Sequence, residues 1–172
     1  MKTKQLATDA MLAAMCAILG YISIDTGNIK ITFESVPILL GALLFGAMDG
    51  FWIGTVGTGI YQLLRYGLSV TTLLWMLPYA LCGLLVGLYA QKKSFTLSNR
   101  QITLIVVLNE LLITVLNTGV LYIDSKIFHY YSPAFIFGSL ALRLVICVIK
   151  AVAFSLLLGV LVRSVRRALH LQ

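Results

Sequence analysis

Residues 102–123 read ITLIVVLNELLITVLNTGVLYI. The run is as long as a bilayer crossing, and one acid and two asparagines interrupt its aliphatic residues. A hydrocarbon core about 30 Å thick needs about 20 apolar residues in a helix, so the stretch predicts a transmembrane helix. An acid inside such a helix costs about 2.5–3.5 kcal/mol on insertion scales, so Glu110 calls for a partner or a function.

The rest of the chain repeats the pattern. Of 172 residues, 60% are hydrophobic and only 11% charged, and the mean hydropathy is +0.98. Soluble domains run nearer one quarter charged. Five further apolar stretches cover residues 7–24, 36–47, 50–66, 72–90 and 134–162. The sequence therefore predicts an all-α membrane protein of six transmembrane helices, a single domain over residues 1–172 in the cell membrane. Six spans leave no room for a soluble catalytic domain, and no enzyme activity is expected. The N-terminal apolar stretch has no convincing small-residue cleavage site and is read as the first helix. Pro37 suits a first helical turn, and Pro78 should kink or locally break the fourth helix. Between the first two spans, DTGNIKITFES (25–35) predicts a short hairpin or an ordered loop.

Charge sets the orientation. The net charge is +7, which in a soluble protein would prompt a nucleic-acid reading. Here Lys2, Lys4, Lys92, Lys93, Arg100, Arg163, Arg166 and Arg167 fall on one side of the six spans. Lys30, Arg65 and Lys126 fall on the other. The excess of cations on the cytoplasmic side puts both termini in the cytoplasm. The loops containing IKITFES, RYGLSVTT and DSKIFHYYSP then lie outside, and no nucleic-acid partner is expected. Cys16, Cys82 and Cys147 all sit in apolar segments without metal or disulfide spacing and read as packing residues.

Spacing organises the polar residues. Glu110 and Asn117 are seven apart and share a helix face, as do Arg143 and Lys150 on the last span. In antiparallel neighbours, Glu110 level with Lys150 sets Asn117 level with Arg143. Glu110–Lys150 reads as a buried ion pair that orients two helices. Arg143, with no acid at its level in this alignment, either receives an anion through its planar fork or caps carbonyls of an outer loop. At the outer end of the third span, Tyr61 and Arg65 share one face and Gln62 and Tyr66 another. Interfacial anchoring accounts for Tyr66 and Tyr79. It does not account for Gln62, whose amide suits two-point hydrogen bonding to a heterocycle. Small residues recur four apart: Ala10 and Ala14, Ala13 and Ala17, Gly50 and Gly54. They allow close helix contact, within the bundle or with a partner. No Walker A motif, metal-ligand motif or nucleophile elbow is present in the sequence.

These pieces resemble an S-component, the substrate-binding membrane subunit of an energy-coupling factor (ECF) vitamin transporter, over nearly the whole chain. Ala13-Ala14-Met15-Cys16-Ala17 resembles the family's A-xxx-A contact motif. KITFESVPILLGALLFGAMDGFWIG (30–54) is similar to its first loop, second span and glycine-rich start of the third. TTLLWMLPYALCGLLVGLY (71–89) resembles its fourth span. LNTGVLYI (116–123) and LALRLVICVIK (140–150) resemble the folate-type branch, with an Asn-Thr pair followed by Leu and an Arg early in the last span.

The resemblance implies a vitamin pocket open to the outside and capped by ordered extracellular loops. It also implies a membrane coupling protein (EcfT) and two cytoplasmic ATPases as partners, with transport by toppling of the subunit in the bilayer. Carried over by position, Ala13 and Ala17, with Ala10 and Ala14 beside them, would meet the coupling protein. Asn117, Thr118 and Arg143 would be polar site positions. Gln62 and Asn117 would read a pterin edge, Trp75 and Tyr61 would stack on rings, and Arg65, Arg143 or Lys30 would meet carboxylates. No cofactor or metal is implied. Pantothenate would also satisfy an arginine but would make less use of the aromatics. A helical membrane scaffold without transport is the reading from a different class.

Overall fold

The computed structural model describes residues 2–25 and 30–168, the side chains of 2, 25 and 30 excepted. The elements run α1 (Lys2–Tyr21), β1 (Ile24–Asp25), β2 (Lys30–Ile31), α2 (Ser35–Phe45), α3 (Ala47–Tyr66), α4 (Thr72–Lys92), α5 (Asn99–Ile127), α6 (Pro133–Phe137) and α7 (Leu140–Ala168). The loop after α1 is a hairpin: β1 and β2 pair antiparallel, Ile24 opposite Ile31 and Asp25 opposite Lys30. Among the described residues, α4, α5 and the α6–α7 stretch Pro133–Ala168 are long and apolar enough to cross a membrane.

α2 sits at the centre. Every residue from Ser35 to Leu44 is buried, so this helix is apolar all round because protein surrounds it. Its 11 residues reach only about 16 Å, roughly half a hydrocarbon core. Gly46 then takes φ of 112°, a left-handed conformation that favours glycine, and the chain turns at once into α3.

The glycines of α3 serve internal packing. A Cβ on Gly50 would stand 2.6 Å from the carbonyl oxygen of Gly83, and one on Gly54 would stand 2.7 Å from that of Tyr79. α3 and α4 therefore touch backbone to backbone. Gly57 opens the same approach to α1, where a Cβ would meet Cys16 and the Ala13 carbonyl. The second half of the chain is built differently. α5 pairs with α7, and the two join the first half through α4 and α2. The common core runs through Leu39, Leu43, Ile53, Val106, Phe154 and Leu158.

Two details refine the expectation, and a third agrees with it. Pro78 lies inside α4 without ending it. The last apolar stretch divides at Gly138 into the short α6 and the long α7. Outward faces carry large apolar side chains such as Leu64, Leu73 and Leu156, which suits lipid contact.

Candidate functional site

A cavity of about 470 Å³ opens between the ends of α3, α4, α5 and α7. That is within the range of small-molecule sites. α5 supplies one wall through Ile113, Thr114, Asn117, Leu121 and Asp124, a stripe at helical spacing. α7 faces it with Arg143, Ile146, Cys147 and Lys150. The opposite wall comes from Tyr61 and Gln62 of α3 and from Trp75 and Tyr79 of α4. Thr32 and Glu34 enter from the segment between β2 and α2, and Phe128, Tyr130 and Phe135 from the connection to α7.

Below the cavity, Lys150 Nζ lies 2.9 Å from Glu110 Oε2, and Ser35 Oγ donates to Glu110 Oε1 at 2.6 Å. Glu110 is only 1% exposed. Its charge is met by a cation on α7 and a hydroxyl on α2, so three helices are tied at one point. The seven-residue spacing leads to the ion pair, but nothing in the sequence points to Ser35.

At the mouth, Asp124 gathers two donors. Trp75 Nε1 donates to its Oδ1 at 3.3 Å, and the Tyr130 hydroxyl to its Oδ2 at 2.5 Å. Burial and the Asp124 carboxylate hold the Tyr130 phenol well above the usual tyrosine range. The indole nitrogen of Trp75 is thereby committed to the protein, and its ring remains in the cavity wall. On the far side, the Tyr79 hydroxyl accepts from Asn117 Nδ2 at 3.3 Å and also hydrogen-bonds with Thr32 and Glu34.

Of the residues expected at a ligand site, Tyr61, Gln62, Trp75, Asn117, Thr118 and Arg143 all line this one cavity. Thr118 turns its hydroxyl back to the Thr114 carbonyl at 2.8 Å. Arg65 is not in the lining. Its Nη1 reaches the Tyr21 carbonyl at 3.1 Å and Ser23 Oγ at 2.5 Å, which caps the C-terminal end of α1. The side chain of Lys30 lies outside the described residues.

Tyr79, expected as an interfacial anchor, is instead a buried wall residue, because α4 turns it inward against α5. Glu34, Asp124, Thr32 and Tyr130 were not singled out from sequence. Glu34 stands just ahead of the apolar run of α2, and Asp124 just after that of α5, where a polar residue ordinarily marks only the end of a span.

The small residues of α1 separate into two faces. Ala13 and Ala17, expected at a partner contact, are 7% and 6% exposed, since Gly57 lets α3 close on this side of α1. Ala10 and Ala14 are exposed.

Comparison with known proteins bears on this arrangement. The family model described as "ECF transporter, substrate-specific component" matches residues 4–169. A UPF0397 protein of Streptococcus agalactiae is 27% identical over 136 residues, 76% of this chain and 74% of its own length. A UPF0397 protein of Lactobacillus johnsonii is 34% identical over 85 residues, 46% of this chain, and the matched stretch spans only 44% of that relative. Among solved structures, the crystal structure of FolT bound with folic acid superposes with a TM-score of 0.63 at 22% identity, covering 90% of this chain and 91% of that one. At that identity the likeness is one of fold.

Proposed function

The chain belongs to the ECF transporter substrate-specific component family, and on that premise we propose that it is the vitamin-binding subunit of an ATP-driven importer, with folate as its ligand. The observation that carries this reading is the cavity: one space of about 470 Å³ joins aromatic rings, two side-chain amides and an arginine. Trp75 and Tyr61 offer faces to an aromatic ligand, Gln62 and Asn117 offer amides to a heterocycle, and Arg143 offers a fork to a carboxylate. Arg65 serves the end of α1, which leaves Arg143 as the described arginine of the wall.

The subunit crosses the membrane with six helices and both termini in the cytoplasm, as a single domain over residues 1–172. Short α2 contributes one of the six from within the bundle. The subunit works with a membrane coupling protein (EcfT) and two cytoplasmic ATPases, which hydrolyse the ATP. The exposed Ala10–Ala14 face of α1 is a surface on which another membrane helix can come close.

Tryptophan fluorescence tests the ligand. Trp75 lines the cavity, whereas Trp52 lies on the outer face at 54% exposure. Titration of the purified chain with folate, pantothenate, riboflavin and thiamine should quench with folate. Trp75→Phe should remove the quench and Trp52→Phe should keep it. Silence towards all four vitamins would overturn the reading. Mass spectrometry of the small molecule that co-purifies gives an independent answer.

A further inference from the structure

Asp124, near the C-terminal end of α5, is 8% exposed, and both of its oxygens are met from outside that helix. Trp75 of α4 donates its indole N–H to Oδ1 at 3.3 Å, and Tyr130 of the connection after α5 donates its hydroxyl to Oδ2 at 2.5 Å. The chain bends back to make the second contact. His129 takes φ of 60°, in the left-handed region, and the Tyr130 N–H donates to the Ser125 carbonyl at 3.1 Å. Tyr130 is thereby folded over the end of the helix that precedes it.

These contacts run from one wall of the cavity to another. Trp75 and Tyr130 both line it, and so does Phe135 of α6, whose ring meets that of Tyr130 edge-on with centroids 6.0 Å apart. Trp75, Asp124, Tyr130 and Phe135 thus link α4, α5 and α6 at the mouth. A second anchor holds the same connection away from the cavity. Lys126 Nζ stands 3.7 Å from the centre of the Tyr131 ring, and Tyr122 packs edge-on against that ring at 5.5 Å. Releasing Tyr130 would therefore loosen the mouth without detaching the connection. With a donor on each oxygen and little exposed surface, Asp124 acts on its neighbours rather than on a ligand.

We propose that Asp124 is a positioning residue for ligand entry and exit: it clasps the connection after α5 to α4, holds the Trp75 ring in the cavity wall, and parts from Tyr130 when a ligand passes. Its bearing on the ligand is kinetic. A clasp closed over both the empty and the filled site slows association and dissociation alike, and leaves affinity nearly unchanged. A group that touches the ligand changes chiefly the dissociation rate. The assignment rests on the vitamin-binding reading above, but the clasp can also be read without a ligand.

The test uses the purified full chain carrying Trp52→Phe, in which Trp75 is the remaining tryptophan. Without ligand, acrylamide should quench Trp75 more steeply once Tyr130→Phe or Asp124→Asn releases the clasp. Stopped-flow fluorescence then uses folate, or whichever of pantothenate, riboflavin and thiamine quenches the parent chain. Tyr130→Phe should raise the association and dissociation rate constants together, by about 10- to 100-fold for one lost hydrogen bond to a charged group, with the dissociation constant shifted less than about 3-fold. Asp124→Asn should act in the same direction, and the double variant should be no faster than the faster single one, because both changes break the same contact. If Asp124→Asn does not fold, Tyr130→Phe decides, since it keeps the ring and the bond between Asp124 and Trp75. Unchanged rates in Tyr130→Phe overturn the assignment. A rise in the dissociation rate alone also overturns it, because Tyr130 would then be a ligand contact. So does acrylamide quenching that neither variant alters. If the parent chain responds to none of the four vitamins, the vitamin-binding reading fails, and the acrylamide measurement still decides the clasp.

Discussion

Lys150 and Glu110 meet in the interior with Ser35 as a third member, and the energetics of such pairs are asymmetric. Removing one partner strands a buried charge, at a cost of about 3–5 kcal/mol, whereas replacing both with neutral groups of similar shape costs far less. Lys150→Met should therefore lower the melting temperature in detergent sharply, and the double variant Glu110→Gln/Lys150→Met should recover most of it. A double variant no more stable than Lys150→Met would mean that the pair does more than neutralise itself. This pair was legible in sequence because two seven-residue spacings on neighbouring helices coincide. Glu34 was not, since an acid just before an apolar run has the look of an ordinary helix start. Only the folded chain, which brings Gly20, Tyr61 and Tyr79 around it, marks it as a site residue.

α3 and α4 owe their contact to the absence of side chains. Gly50→Leu would set a side chain against the Gly83 carbonyl, where even a Cβ stands at 2.6 Å, and overpacking of this kind costs about 1–3 kcal/mol. Gly119 and Gly159 have nothing within 4 Å of an added Cβ, so Gly119→Ala and Gly159→Ala should be neutral or stabilising by up to about 1 kcal/mol. Thermal denaturation of the three variants side by side reads the difference. The same logic divides α1. Ala13→Trp should destabilise the subunit, because Ala13 lies under α3. Ala10→Trp and Ala14→Trp should leave folding and ligand binding intact but abolish uptake in cells supplying the coupling protein and ATPases. Full uptake by both exposed-face variants would remove that face from the partner contact. The alanine spacing was visible in sequence, but not which pair faces outward, since two overlapping four-residue spacings differ only by the rotation of one helix. The presence and order of the long helices were readable from apolar run length, whereas the division of the last stretch is marked only by the Gly-Ser pair at 138–139.

For the whole molecule, the distribution of lysine and arginine predicts the orientation. Cysteines introduced singly at Lys4, Lys93 and Arg167 into a chain lacking Cys16, Cys82 and Cys147 should resist impermeant thiol reagents in intact cells. A cysteine at Leu68, in the turn between α3 and α4, should react. Labelling of the first three from outside would reverse the assigned topology. The enclosure of α2 also bears on how the protein is made. Ser35 emerges from the ribosome early, Glu110 later, and Lys150 a whole helix after that, yet all three end at one point. Until α7 is delivered, the nascent chain carries an acid without its cation and a short central helix without its full wrapping. A chain stalled before α7 would lack the partner of Glu110 and part of the packing around α2, so completion of the last helix is predicted to be needed for a stable subunit.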